Sequence, residues 1–205
     1  MTTPRLFQLE DMFKFNHIVL DPLVEVYPLP FFLPKILEHP DLVLTAVAPD
    51  DRLVGFILGT RIVDSQEPRI IGDGNYQQSA CHGHISALAV AHDYRRLGLG
   101  TRLMESLRQL LDRYKDPYVD LCVREKNHNA IDLYETLGYV KYRWLPQYYA
   151  NDHGYDMRLP LASDVERRSL EGITRNKFYS FGNMIFHLLI IFVEGVRQIL
   201  KSDTR

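Results

Sequence analysis

Arg95, Gly98 and Gly100 follow one another as Arg-x-x-Gly-x-Gly at the head of an amphipathic stretch. Apolar residues then recur at Leu103, Leu107, Leu110 and Leu111, the spacing of a helix that buries one face and turns Arg102, Glu105, Arg108 and Gln109 to solvent. The run Ile85-Ser86-Ala87-Leu88-Ala89-Val90 before it reads as a strand, so a glycine turn hands a strand to the start of a helix. Unpaired N–H groups and the positive end of the helix dipole make such a turn an anion site, and glycine lets the backbone come close to a phosphate. A pyrophosphate-bearing cofactor is the expected occupant. The G-x-G-x-x-G of dinucleotide folds and the Gly-Lys-Ser/Thr of nucleoside triphosphatases are both missing from this turn.

A second constellation lies downstream. Residues 118–124 form a buried-strand pattern, followed by Asn127 as a candidate N-cap and a helix through Ala130, Ile131, Tyr134 and Leu137 that stops at Gly138. Asn127 and Tyr134 stand two helical turns apart, so an amide and a phenol share one face. A core aromatic with a satisfied hydroxyl is the alternative reading of Tyr134.

Together, the Arg/Gly turn and the order Asn127, Tyr134, Leu137-Gly138-Tyr139 resemble the GCN5-related N-acetyltransferases. The resemblance implies acetyl-CoA as cofactor, held by Leu88, Ala89 and Val90 of the strand and by Arg95, Arg96, Gly98, Leu99, Gly100 and Thr101 of the turn. It also implies that Asn127 contacts the pantetheine and that Tyr134 lies near the sulfur, as acid or hydrogen-bond donor. A backbone N–H from 88–90 would polarise the thioester carbonyl, with a bulge there opening the sheet.

The resemblance narrows to catalytic subunits of the N-terminal acetyltransferases of the B type. Phe13-Lys14-Phe15-Asn16, the run from Leu20 to Tyr27, Pro30-Phe31-Phe32-Leu33, His82-Gly83-His84, Tyr148-Tyr149 and Tyr155-Asp156-Met157-Arg158 carry it, from residue 1 to about 161. It implies substrates starting with Met followed by Asp, Glu, Asn or Gln, on nascent proteins, with an auxiliary helical-repeat subunit at the ribosome. Peptide-side positions are then Glu25, Tyr27, His82, Gly83, Ser86, Tyr148 and Tyr149, and the catalytic candidates are Tyr134, His82 and Glu25. Taken singly, Glu25 also reads as a loop cap, His82 as a strand-edge polar residue and the tyrosines as sheet packing. Five positions depart from the pattern: Ala80-Cys81 replaces an acidic-aromatic pair, Val24 and Val26 replace hydroxyl residues, and Ser86 replaces Thr. An acetyltransferase for lysine or a small amine, and a weakly active copy that binds the auxiliary subunit, are the alternatives.

The elements that must position these residues are legible only coarsely. Strands are expected near 5–8, 42–48, 52–61, 84–90, 118–124, 139–145 and 155–159, with helices over 9–16, 31–38, 127–137 and after Gly100. Interleaved helices and hairpins indicate an α/β fold, a central mixed sheet flanked by helices, with Asp50-Asp51 as a hairpin turn. Residues 64–81 lack periodicity and read as an enlarged loop. At 205 residues, 46% hydrophobic and 24% charged, the chain suits one acetyltransferase domain over 1–161 and a C-terminal extension over 162–205.

Within that extension, residues 178–200 read as an extra apolar helix. Its densest part is shorter than a membrane span, and Gly182, Asn183, His187, Glu194 and Arg197 interrupt it, so packing on protein is favoured over a bilayer anchor. The net charge of −2 gives no pull toward nucleic acid. Two distant cysteines, Cys81 and Cys122, form no metal or disulfide framework, and the start carries no secretory pattern, so a cytoplasmic protein without a metal is expected.

Overall fold

The computed structural model describes residues 2–14, 18, 29–63, 81–149 and 152–171. Among the described residues seven strands, β1 (Thr3–Leu6), β2 (Val43–Val47), β3 (Leu53–Val63), β4 (Cys81–Val90), β5 (Tyr118–Arg124), β6 (Val140–Tyr149) and β7 (Asp152–Pro160), form one sheet in the order β1-β2-β3-β4-β5-β7-β6. Every pairing is antiparallel except β4 with β5. The mixed α/β sheet expected from the interleaved pattern is therefore present. Helix α1 (Leu29–Glu38) lies on one face, and α2 (Leu99–Tyr114) and α3 (His128–Thr136) lie on the other.

The helical spacing after the glycine turn produces the larger core. Leu103, Leu107 and Leu111 of α2 are at most 1% exposed and pack with Ile57, Ile85, Val119, Leu121, Met157 and, from α3, Ile131. Each such side chain contributes about 1.5–3 kcal/mol on burial. Glu105, Arg108 and Asp112 line the outer side of α2 as an ion-pair ladder. On the opposite face Phe32 and Ile36 of α1 pack on Val43, Leu53, Phe56 and Leu58.

Differences from the expected elements have local causes. The first strand ends at Leu6, and residues 9–14 form a 3-10 helix rather than an α-helix. Buried Asp11 accepts from the Gln8 N–H and grips the Arg5 guanidinium at 2.7 and 2.8 Å, which holds that turn tight against β1. β4 starts at Cys81, earlier than 84. β6 continues past Pro146 to Tyr149, because β6 is an edge strand where a missing N–H costs no ladder bond. Asp51, with φ of 64°, makes the β2–β3 turn where the Asp pair predicts it.

Past residue 161 the chain stays tied to the sheet. Ala162 N–H donates to Asp112, Ser163 to the Asp116 carbonyl, and the Ser169 and Glu171 carbonyls receive Arg158 and Tyr142. The chain divides into two units after Ile173. The apolar helix expected over 178–200 and residues 64–80 of the expected loop lie outside the described residues, and no helix among the described residues is long and apolar enough to cross a membrane.

Candidate active site

The turn between β4 and α2 is curled by two left-handed residues, Arg96 at φ 62° and Gly98 at φ 76°. Residues in alternating right- and left-handed conformations aim their N–H groups inward, and Gly98 is the N-cap of α2, so the N–H groups of Leu99, Gly100 and Thr101 have no partner within the helix. A Cβ at Gly98 would meet nothing within 4 Å, and one at Gly100 would stand 3.3 Å from Leu133 of α3. Gly98 thus answers to backbone conformation and Gly100 to the approach of two helices. Arg95 is anchored by a 3.0 Å bond from Nε to the Val90 carbonyl.

This turn closes one end of a cleft of about 860 Å³ between the separating ends of β4 and β5. The parallel ladder covers only Gly83 to Ile85 against Val119 to Leu121, and beyond it residues 86–90 and 122–124 part. Ala91 N–H donates to Val54, and the register pairs Ala89 with Phe56 and Ala87 with Leu58. Alternation then turns the N–H groups of Leu88 and Val90 away from β3 and into the gap. The β3–β4 register slips between Leu58 and Gly59, so the bulge falls at Ser86, two residues before the expected 88–90. The Ser86 hydroxyl, at the cleft wall, is buried with no hydrogen-bond partner among the described residues.

Asn127 caps α3, its side chain accepting from the Ala130 N–H at 3.3 Å, and Tyr134 lies two turns on with 8% of its surface exposed; both line the cleft. Burial pushes the Tyr134 phenol up to about 12. Burial likewise raises the Cys122 thiol to about 12, against a hydrogen bond with Tyr148 that lowers it. Leu88, Ala89, Val90, Arg95, Arg96, Gly98, Leu99, Gly100, Thr101, Asn127, Tyr134, Ser86 and Tyr149 all surround this one space. A cleft with free helix-start amides at one end and an orphaned hydroxyl in its wall suits a long molecule bearing phosphates and a polar reacting end.

Not every expected residue is here. Gly83 lies beneath α2, where a Cβ would stand 2.5 Å from the Leu111 Cδ1. His82 is 6% exposed on the opposite face of β4, its ring stacked 4.5 Å from Tyr118, with Nε2 3.6 Å from Asp120. Neither lines the cleft. Tyr148 is 40% exposed and meets Tyr149 edge-on at 5.0 Å, while Arg124 stacks on Tyr149 at 4.4 Å. Glu25 and Tyr27 lie outside the described residues.

Cys122 and Arg124 also line the cleft, unforeseen from sequence. Alternation along β5 already sets Asp120, Cys122 and Arg124 opposite the core residues Val119, Leu121 and Val123. That pattern was the available signal.

The acetyltransferase (GNAT) family profile matches residues 6–139. N-alpha-acetyltransferase 20 of Dictyostelium discoideum is 39% identical over 173 residues, 83% of this chain and 92% of that protein. The N-terminal acetyltransferase B complex catalytic subunit of Arabidopsis thaliana is 36% identical over 177 residues, 85% of this chain and 94% of that protein. Among solved structures, the Chaetomium thermophilum homologue in complex with a bisubstrate analogue is similar at a TM-score of 0.72 and 34% identity, over 81% of this chain and 90% of that one. The NatB acetyltransferase complex bound to CoA and MES is similar at 0.65 and 30%, over 78% and 99%. The turn, the parted strands and these likenesses agree, and the chain belongs to the acetyltransferase (GNAT) family, in its group of N-terminal acetyltransferase B catalytic subunits.

Proposed function

We propose that this chain transfers an acetyl group from acetyl-CoA to the α-amino group of proteins starting with Met followed by Asp, Glu, Asn or Gln. The observation that carries the reading is the parting of β4 from β5, bounded by the free amides of the α2 start at one end and by Tyr134 within. Acetyl-CoA, when bound, supplies the activated acetyl group. The α2 amides and Arg96, which line one end of the cleft, would hold its pyrophosphate, and Asn127 would meet its pantetheine. The Leu88 and Val90 N–H groups are set to hydrogen-bond a carbonyl oxygen that gains charge, without reorganising as they do so.

An α-amino group titrates near ~7.7–8, so a useful neutral fraction exists at physiological pH and the protein need only carry its proton away. Glu25, Tyr27, Tyr148 and Tyr149 form the peptide side in this reading, and His82 and Gly83 act there only through the strand they belong to. The protein works in the cytoplasm on nascent chains with an auxiliary subunit, in line with the complex bound to CoA that resembles it. The 162–205 extension follows the catalytic domain, its first ten residues bracing the sheet.

The test is acetyl transfer to peptides differing in their first two residues, with and without the auxiliary subunit. Met-Asp and Met-Glu peptides are expected to exceed Ser-, Ala- and Met-Leu-starting ones and internal lysine, because polar groups built to meet a side-chain oxygen are left unsatisfied by an apolar residue. Equal rates across the panel would refute the assignment.

A further inference from the structure

Near its tip the β6–β7 hairpin pairs unequally. Leu145 stands opposite Gly154 and Tyr149 opposite Asp152, so three residues of β6, 146–148, face His153 alone. Such a bulge bends its strand and breaks the alternation of side chains. Gln147 within it takes a left-handed φ of 51°, a conformation that residues with a Cβ rarely adopt. Its N–H donates to the His153 imidazole, at 3.0 Å from Nδ1. An accepting ring nitrogen carries no proton, so the neutral ring holds its proton on Nε2. The ring is half-buried and lies 4.8 Å from that of Trp144. The His153 backbone is fixed as well: its carbonyl accepts the Glu125 N–H at 3.0 Å, and its own N–H donates to the Asp152 Oδ1 at 2.9 Å.

The bulge decides where two tyrosines point. In a regular strand Tyr148 and Tyr149 would face opposite sides of the sheet. Here both reach one row of β5, since Tyr148 is hydrogen-bonded to the Cys122 thiol and Tyr149 stacks with Arg124 at 4.4 Å. The Tyr149 ring gets there across β7 at Gly154, where a Cβ would stand 3.0 Å from the ring Cε2. Cys122, Arg124 and Tyr149 all line the cleft. One bond from a backbone N–H to an imidazole therefore closes the bend that brings the tyrosine pair to the cleft wall.

We propose, on the acetyl-transfer reading above, that His153 is a positioning residue for the peptide substrate: its unprotonated Nδ1 clasps the Gln147 N–H and so holds Tyr148 and Tyr149 at the cleft. A proton on Nδ1 turns the acceptor into a donor aimed at another N–H, and the clasp opens. The charged and titratable groups around this end of the hairpin, among the described residues, are Asp152 and Tyr155 on β7, Lys141 on β6, and Glu125 and Lys126 just past β5. The glycine turn between β4 and α2 is built from other residues, so the clasp acts on the peptide and not on acetyl-CoA. An uncharged acceptor in place of the imidazole keeps the clasp shut at every pH.

The experiment measures peptide KM, kcat and acetyl-CoA affinity for the complex with its auxiliary subunit, on a Met-Asp peptide, between about pH 8 and about pH 5.5, the span in which imidazoles change charge. Tm serves as the control for folding. His153→Leu is expected to raise the peptide KM at least about threefold at the higher pH, with acetyl-CoA affinity within about twofold of wild type. His153→Asn sets an amide oxygen near the place of Nδ1 and should keep the peptide KM within about twofold of wild type there. Acidification protonates the substrate amine for every variant, so the decisive quantity is a difference: the wild-type KM should climb at least about threefold more than that of His153→Asn. A wild-type peptide KM in folded His153→Leu would overturn the clasp, and so would equal climbs in wild type and His153→Asn. Should His153→Leu fail to fold, the comparison of wild type with His153→Asn decides. Absence of turnover in the wild-type complex would instead overturn the acetyl-transfer reading.

Discussion

Tyr134 is the residue whose chemistry the structure sharpens most. A phenol near 12 keeps its proton across the neutral range, whereas a thiol titrates near about 8.5. Tyr134 is therefore the weaker acid by about three units, so in the proposed reaction it would steady a departing thiolate by a hydrogen bond rather than by giving up its proton. A hydrogen bond to a charged group contributes about 1.5–3 kcal/mol, which corresponds to a rate factor of about ten to a hundred and fifty. Tyr134→Phe should reduce kcat by about that factor and leave acetyl-CoA affinity near wild type, read by steady-state kinetics and calorimetry. Unchanged turnover would leave Tyr134 as an aromatic packed 5.9 Å from Tyr139 and nothing more. That Arg95, Gly98, Gly100, Asn127 and Tyr134 stand at helix starts or on a shared helix face was legible in the sequence, because local spacing decides it, whereas their roles came only from the family resemblance. His84 was not. Its pairing with Asp120, 36 positions on and across a parallel ladder, leaves no local pattern in the sequence.

At the scale of elements, β4 carries two different jobs on its two faces. Gly83 belongs to the one that supports α2: a Cβ there would meet Leu111 at 2.5, 2.9 and 3.2 Å, so the whole side chain would have to move. Gly83→Val should destabilise the fold by about 1–3 kcal/mol through overpacking. At roughly 2–4 °C per kcal/mol for a domain of this size, Tm should fall by about 2–12 °C. Acetyl-CoA affinity should change little, since the anion turn lies at the other end of α2. A raised peptide KM with an unaltered Tm would restore Gly83 to the substrate side. The sequence motif His82-Gly83-His84 treated these three as one unit, but a strand sends neighbours to opposite faces, and only the observed register says which face does what. The same limit displaced the bulge. Residues 88–90 were expected to break the ladder, and the register slip between Leu58 and Gly59 places the break at Ser86 instead.

For the molecule as a whole, the described sheet consists of an antiparallel half, β1 to β4, and a second half, β5, β7 and β6, joined by three parallel residue pairs and by the helices above. Alternation of helices and strands was enough to foresee a mixed sheet. The brevity of that seam was not foreseeable, because pairing length between distant segments leaves no mark in either one. One consequence concerns solvent exchange. Over five consecutive residues at the end of a central strand and just past it, the amides of Ala87, Ala89 and Ala91 are tied to β3, while those of Leu88 and Val90 look into the gap. In deuterated water a sheet interior is ordinarily the slowest region to label. Here slow and fast amides should alternate along one strand, and the fast pair should turn slow when acetyl-CoA is added. Their labelling would then report occupancy of the cleft without any turnover, peptide or chromophore.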